Sequence, residues 1–313
     1  MATSGTSALT STRNQLIRQA ALLIQAVGAG MTMNATSAQD FAFNLNAMVK
    51  SWQARGIHIW TVDEMTLFPQ PGQVKYMLGT GTTDHATRTF YSTALSADEA
   101  AGQTTLSIDS NDDMTNGDKI GIVLDDGTLH WTTIVSSTST TVTITDALTD
   151  SASEDAIVYF YTTNMVRPLK VVDGRRYNIA AASDTPVMRY SRMDYQAIPN
   201  KAQAGNINGF WYDRQLANGY LYLWQVPEAT TELLKATVHR PIETFEAAGD
   251  NPDLPEEWIK CIYYNLAVVM APQYDVPMAK YNMLNSKAEE YLDEMTGYDR
   301  EDESYFIQPA QEY

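Results

Sequence analysis

The chain has 313 residues, 44% of them apolar, enough to bury a sizeable core in one large or two ordinary domains. Its 21 Lys and Arg against 38 Asp and Glu give a formal charge of -17, the wrong sign for a protein that grips phosphates by neutralising them. One cysteine, Cys261, permits no intrachain disulfide, and four scattered histidines, His58, His85, His130 and His239, leave little for a structural zinc site, so neither metal nor cofactor is expected.

Met1 to Thr12 is rich in Ser and Thr without the charged and apolar regions of a signal peptide. Nowhere does the chain approach ~18 uninterrupted apolar residues, which predicts a soluble protein made in a reducing cytoplasm, with no membrane partner. Thr12 can cap a first helix whose apolar positions Leu16, Ala20, Leu23 and Val27 follow four-three-four spacing and end at Gly28-Ala29-Gly30. Ser37 can cap a second, with Phe41, Leu45, Met48 and Trp52 at the same spacing and Gly56 at the left-handed C-terminal position. The two stripes should face each other. His58 to Val62 then alternates as a strand, so residues 1–81, of formal charge +2, read as N-terminal helices and first strands.

Residues 82–165 carry -11 and turn to Thr, Ser, Asp and Gly. Short alternating runs at 105–108, 119–124, 129–135, 142–145 and 157–161 predict five strands of a small barrel or sandwich, with Asn116-Gly117 and Asp125-Asp126-Gly127 in its tight turns. An acidic block between two mildly basic ones predicts an inserted module with its own solvated surface. A second β region, 166–250, shows strands at 186–191, 210–213, 220–224 and 234–238, with Asn218-Gly219 closing a hairpin. The basic residues of 166–242, among them the adjacent pair Arg175-Arg176, sum with its acids to +4 and suggest a subunit-contact surface more than a phosphate grip.

Residues 251–297 return to helix. Leu254-Pro255-Glu256-Glu257-Trp258 puts Pro and two carboxylates in a first turn, followed by a stripe of Trp258, Ile262, Leu266 and Val269 and an end or kink at Pro272. A last helix runs from near Pro277 to Met295, striped by Tyr281, Leu284, Ala288 and Tyr291 and stopped by Gly297. Beyond it, 298–313 is acidic and aromatic. Tyr298, Tyr305, Phe306 and Tyr313, with Arg300 among them, suit a tail that orders on docking to another subunit.

Other candidate sites have plainer readings. Asp109, Asn111 and Asp113 imitate the start of a calcium loop, but Met114 stands at the required Gly and Ile120 at the closing Glu, which leaves Asx-turn structure. Glu256 and Glu257 are helix-start carboxylates, since neighbours on a helix face different directions. His130-Trp131 should alternate, one inward and one outward, and Cys261 reads as a small buried side chain. Gly79-Thr80-Gly81 lacks the Lys of a phosphate loop.

Two short helices, Trp52 four residues before Gly56-Ile57, and a later Pro255-Glu256-Glu257-Trp258 helix with Tyr264-Asn265-Leu266-Ala267 and Ala271-Pro272-Gln273-Tyr274 occur in one order. That order, over 12–65 and 252–297, resembles the head-to-tail adaptor, or tail accessory factor, of short-tailed bacteriophages. The long β region at 79–242 goes beyond the shorter adaptor layout. The resemblance implies an α+β fold with a helical adaptor core from both chain ends around Leu16, Leu23, Phe41, Trp52, Trp258 and Leu266, and a central β region holding the inserted barrel or sandwich. It further implies a structural, non-enzymatic virion protein at the head-to-tail junction: a dodecameric ring between portal and tail or nozzle protein, lining a channel through which duplex DNA passes without being gripped. Two other classes fit less of the chain: a carbohydrate-binding tail module using an aromatic platform in 82–165, and a peptidoglycan-degrading virion enzyme using Glu256.

Overall fold

The computed structural model describes residues 9–56 and 61–298, Tyr298 by its backbone alone. Among these it is a mixed α+β fold, mostly strand, with five α-helices and fourteen strands. It divides into two compact units: one drawn from both chain ends, through Thr61 and from Ile242 on, and one from the single stretch Val62–Pro241.

The first unit is helical. α1 (Arg13–Leu23) opens with a reciprocal cap, Gln15 N donating to Thr12 Oγ1 (3.4 Å) and Thr12 N to Gln15 Oε1 (2.8 Å). It stops a turn before the expected glycines. Gln25 takes φ +60°, and the N–H groups of Gln25 and Ala26 donate back to Leu22 O (3.2 Å) and Ala21 O (2.9 Å), a Schellman closure made without glycine. α2 (Ala35–Ala54) is capped by Asn34, whose Oδ1 accepts from Ser37 N at 2.7 Å, so Ser37 lies inside the helix it was expected to cap. Gly56 ends this segment at φ +100°, where a left-handed residue was expected. α4 (Trp258–Met270) starts at Trp258 itself, with Pro255 outside its first turn, and yields at Pro272 to a 3-10 turn over Ala271–Tyr274. α5 (Met278–Tyr298) runs through Gly297, past the expected stop.

Leu16, Phe41, Trp52, Trp258 and Leu266 are buried in one cluster, and Leu23 packs half-buried against it. The rings of Trp52 and Trp258 lie 5.8 Å apart, joining segments from opposite ends of the sequence. α4 is the element that α1, α2 and α5 all pack on. Its stripe differs from expectation at one place. Val269 is 43% exposed, and Met270, one residue on, takes the buried position. α5 turns Leu284 and Ala288 inward, with Tyr281 and Tyr291 half-buried beside them.

The second unit holds two sheets. The larger takes β1 (Val62–Leu67), β2 (Lys75–Leu78), β3 (Ala86–Thr87), β10 (Lys170–Asn178), β11 (Ser183–Arg189), β12 (Gly209–Arg214), β13 (Gly219–Trp224) and β14 (Glu232–His239). Their spatial order is β2-β13-β12-β11-β10-β14-β1-β3. A short helix, α3 (Arg192–Ala197), follows β11, capped by Ser191. The smaller sheet takes β4 (Tyr91–Ala94), β5 (Thr105–Ser107), β6 (Lys119–Val123), β7 (Leu129–Thr138), β8 (Thr141–Ile144) and β9 (Ile157–Tyr161), in the order β4-β9-β6-β7-β8-β5. Its two edges meet: Ser96 N donates to Ser107 O (3.1 Å) and Asp109 N to Ala94 O (3.0 Å), rolling the sheet into a nearly closed barrel. Leu106, Ile120, Ile122, Ile134, Val142 and Phe160 fill its inside.

Gly117 and Gly127 hold the left-handed turn positions their neighbours suggested, at φ +94° and +83°. Gly219 does something else. It opens β13, and a Cβ there would stand 2.0 Å from Tyr212 Oη, so its missing side chain makes room for a cross-strand ring. The region boundaries also shift. β1 and β2 pair with β14 and β13, so residues 62–81 belong to the β unit and not with the N-terminal helices. β3 pairs with β1, which leaves the barrel proper at Tyr91–Tyr161. Nor is the barrel surface separately solvated on every side: Phe68, just after β1, and Leu233 of β14 share a buried cluster with Leu129, Tyr159 and Tyr161 of the barrel.

Candidate functional site

A cleft of about 480 Å³ opens where the loops after β1 and β2 meet the barrel strands β6 and β7, lined by Gln73, Asp84, His85, Lys119 and Trp131 among others. Its polar groups are largely spent on one another. Asp84 accepts from Gln73 Nε2 (2.7 Å) through one oxygen and from Met77 N (2.6 Å) through the other. Gln70 holds β7 as a strand neighbour would, donating to Leu129 O (2.8 Å) and accepting from Leu129 N (3.1 Å).

A hydrogen-bond relay fixes the histidine. Asn164 Nδ2 donates to Thr82 O (3.3 Å), which leaves Asn164 Oδ1 to accept the Tyr161 hydroxyl (2.6 Å). Tyr161 has then used its only hydrogen, so in the 2.7 Å contact with His85 it is His85 Nδ1 that carries the proton and donates. Burial first, and the Lys119 ammonium second, push the His85 pKa down to about 3, so the ring is neutral.

That ring lies flat on Trp131, centroids 3.9 Å apart and planes 6° off parallel. The opposite indole face is closed by Gly121, the cross-strand partner, where an added Cβ would meet three ring carbons at 2.8 Å. Both faces of Trp131 are therefore covered, and no sugar can stack on it. His130 and Trp131 are both half-buried, not divided inward and outward, because the aromatic cluster between the sheets takes in the Trp131 side that alternation alone would leave open. The cleft braces the barrel against the larger sheet.

Four of the ten basic residues of 166–242 form ion pairs within the unit. Arg175 contacts Glu64 and lies 3.8 Å from Asp184, Arg176 lies 3.2 Å from Glu232, and Lys235 lies 4.0 Å from Glu64. Asp63 takes both Arg88 (3.0 Å) and Arg240 (2.9 Å). Burial raises the Glu232 pKa, with Arg176 opposing it. Arg175 and Arg176 thus face carboxylates on other strands of the same sheet, so the adjacent basic pair is answered from inside the unit.

The helical unit leaves a different surface. The loop between α1 and α2 borders a groove of about 410 Å³ lined by Asn14, Ile17, Arg18, Met31, Met33 and Ala38. Met31 is 67% exposed there, Phe43 stands 74% exposed on the outer side of α2, and Met283 58% exposed on α5. These large apolar side chains, one on the loop and two on helices, have no covering element among the described residues.

The remaining sequence candidates fall as follows. Tyr298 ends α5, whereas Arg300, Tyr305, Phe306 and Tyr313 lie outside the described residues. Glu256 and Glu257 sit exposed on the turn before α4, Glu256 accepting from the Leu9 N–H. Cys261 is buried in the helical core, and desolvation pushes its thiol up to about 12. Around Asp109 to Asp113, Ser110 Oγ accepts from Asp112 N (3.1 Å), and among the described residues no three His, Cys, Asp or Glu side chains gather as a metal site needs. No helix among them is long and apolar enough to cross a membrane. The groove residues Arg18, Met31 and Met33 went unpredicted; the signal available was a Met-Thr-Met run between two capped helices.

No family model and no curated protein matches the chain. Among solved structures, one similarity is to the Gp54 tailspike of Acinetobacter baumannii bacteriophage AP22, determined in complex with A. baumannii capsular saccharide: 17% identity over 25% of this chain and 15% of that one, with a TM-score of 0.22. Another is to VP17, a capsid protein of bacteriophage P23-77, at 11% identity over 57% of this chain and 82% of that one, with a TM-score of 0.12. At such scores neither likeness carries an argument about this chain.

Proposed function

We propose that the chain is a structural virion protein, the subunit of a ring that connects the portal of a short-tailed bacteriophage to its tail and lines the DNA exit channel. The observation that carries this reading is the helical unit itself. Its four helices come from the two chain ends, share one core through Trp52 and Trp258, and coincide with the segments whose order resembles the head-to-tail adaptors. Around that core, Met31, Phe43 and Met283 stay exposed, as they would on a protomer whose neighbours cover them.

Electrostatics supports a passive channel. A chain of formal charge -17, with Arg175 and Arg176 already paired to carboxylates, repels a phosphate backbone and lets it slide. The partners are further copies, twelve by the adaptor resemblance, with the portal above and a tail or nozzle protein below. The segment after α5 supplies the aromatic anchors Tyr305, Phe306 and Tyr313 for docking on the portal. Truncation after Tyr298 tests this. The shortened chain should keep its helical signal and bind portal rings more weakly; binding as tight as that of the full chain removes the docking role.

A further inference from the structure

Within that ring reading, the helical unit carries two unlike free faces, and their chemistry matches. On one side is the α1–α2 groove, with Ile17 buried beneath, Met31 standing out and Arg18 exposed beside it. Residues 9–56 hold four cations, Arg13, Arg18, Lys50 and Arg55, against Asp40 alone, a net +3. Two of the four are engaged: Arg13 donates to Glu246 O (2.9 Å), and Lys50 donates to Ile242 O. Arg18 and Arg55 are exposed and make no ion pair among the described residues.

On the other side is α5. Residues 242–298 hold eleven acids against three lysines, a net -8. With Leu284 and Ala288 turned toward α4, the positions Met283, Glu290 and Glu294 are exposed, and their spacing of seven and four places them on one helical face. That face offers a flexible apolar side chain followed by carboxylates two and three turns on; Lys287 between them pairs with Glu290 (2.6 Å), and Glu294 makes no ion pair among the described residues. The groove offers an irregular apolar hollow beside a guanidinium. Methionine suits such a hollow because its unbranched thioether adapts to uneven walls.

In a single copy the two faces serve different parts of the bundle, because α5 packs on α4 and the groove belongs to α1, α2 and their loop. We propose that the Met283–Glu290–Glu294 face of α5 in one copy docks in the α1–α2 groove of the next copy, Met283 entering beside Met31 and the carboxylates meeting Arg18. A contact between two different patches of identical chains is head-to-tail, and repeats until the rotation closes a ring. The inference rests on the ring reading and adds to it which faces meet.

Charge reversal tests it in the full-length chain, with portal rings present where the ring requires them. Arg18→Glu alone, and Glu290→Arg with Glu294→Arg, should each raise the protein concentration needed for half-assembly about tenfold or more, since like charges then face each other. The chain with all three changes should assemble within about threefold of the original. Far-UV circular dichroism identifies any variant that has lost its helices, and Arg18→Gln with Glu294→Gln then serves as the milder series, in which each change should weaken assembly. Reversed chains that assemble like the original, or a combination no better than its worse parent, overturn the face pairing while leaving the ring intact. An unaltered chain that forms no ring with or without the portal overturns the ring reading, and the pairing with it.

Discussion

Trp258 is fully buried where the two chain ends meet, against Trp52 at 5.8 Å between rings, and its Nε1–H has no hydrogen-bond partner among the described residues. Replacing it by Ala removes the largest buried side chain of the helical core and leaves a hole that the surrounding helices can only partly close. The expected loss is about 3–5 kcal/mol. For a unit of this size the lower end alone converts to a midpoint drop of roughly 6–24 °C. Trp258→Phe tells a separate story. It keeps most of the ring volume and discards an N–H whose unpaired burial costs roughly 1–3 kcal/mol, so it should fall far less than the Ala variant. Differential scanning calorimetry with circular dichroism at 222 nm reads both: the helical transition should move while the β unit's transition stays. A Trp258→Ala midpoint within about 3 °C of the original, beyond reach of a 3 kcal/mol loss, refutes the packing argument, as does a Phe variant as damaged as the Ala variant.

Gly121→Val should destabilise the barrel by roughly 1–3 kcal/mol in urea titrations, because even a Cβ would meet the Trp131 ring at 2.8 Å; an unchanged urea midpoint would mean the indole can move aside. His85 has a folded pKa of about 3 against 6.5 unfolded, so between those values the unfolded chain binds the extra proton; stability should be whole above pH 6.5 and decline as pH falls toward 3, and His85→Gln should flatten that slope in pH-dependent denaturation. Duplex DNA should bind no tighter than micromolar at 0.15 M salt by fluorescence anisotropy, whereas submicromolar binding that Arg175→Ala with Arg176→Ala abolishes would make this a DNA-gripping protein. Ring or portal association should weaken as salt rises, because it joins blocks of opposite charge.

Local grammar located most elements. The four-three-four stripes put Leu16, Phe41, Leu45 and Trp52 in the helical core, and alternating runs located β5 to β9 to within a few residues. The misses have physical causes. α1 ended early because Gln25 adopts the left-handed turn that only Gly or Asn announces, and the strand β10 escaped notice because a bulge between Val171 and Asp173 breaks its alternation. Gly219 was read as a turn residue, whereas its role is set by Tyr212 across the sheet. The same limit governs the sites. Trp131 looks like an open platform until His85, 46 positions earlier in the chain, is found lying on it, and Arg175 looks free until Glu64 arrives from β1. Contacts between distant strands leave no periodic trace in sequence.

Whether this chain is a ring subunit at a portal can be read from the mass of its assembly. Full-length protein, alone and with a purified portal ring, should be weighed by mass photometry and imaged in negative stain. A ring of twelve copies seated coaxially on the portal is the expected result. Chains that remain single beside intact portals across the accessible concentration range would contradict it.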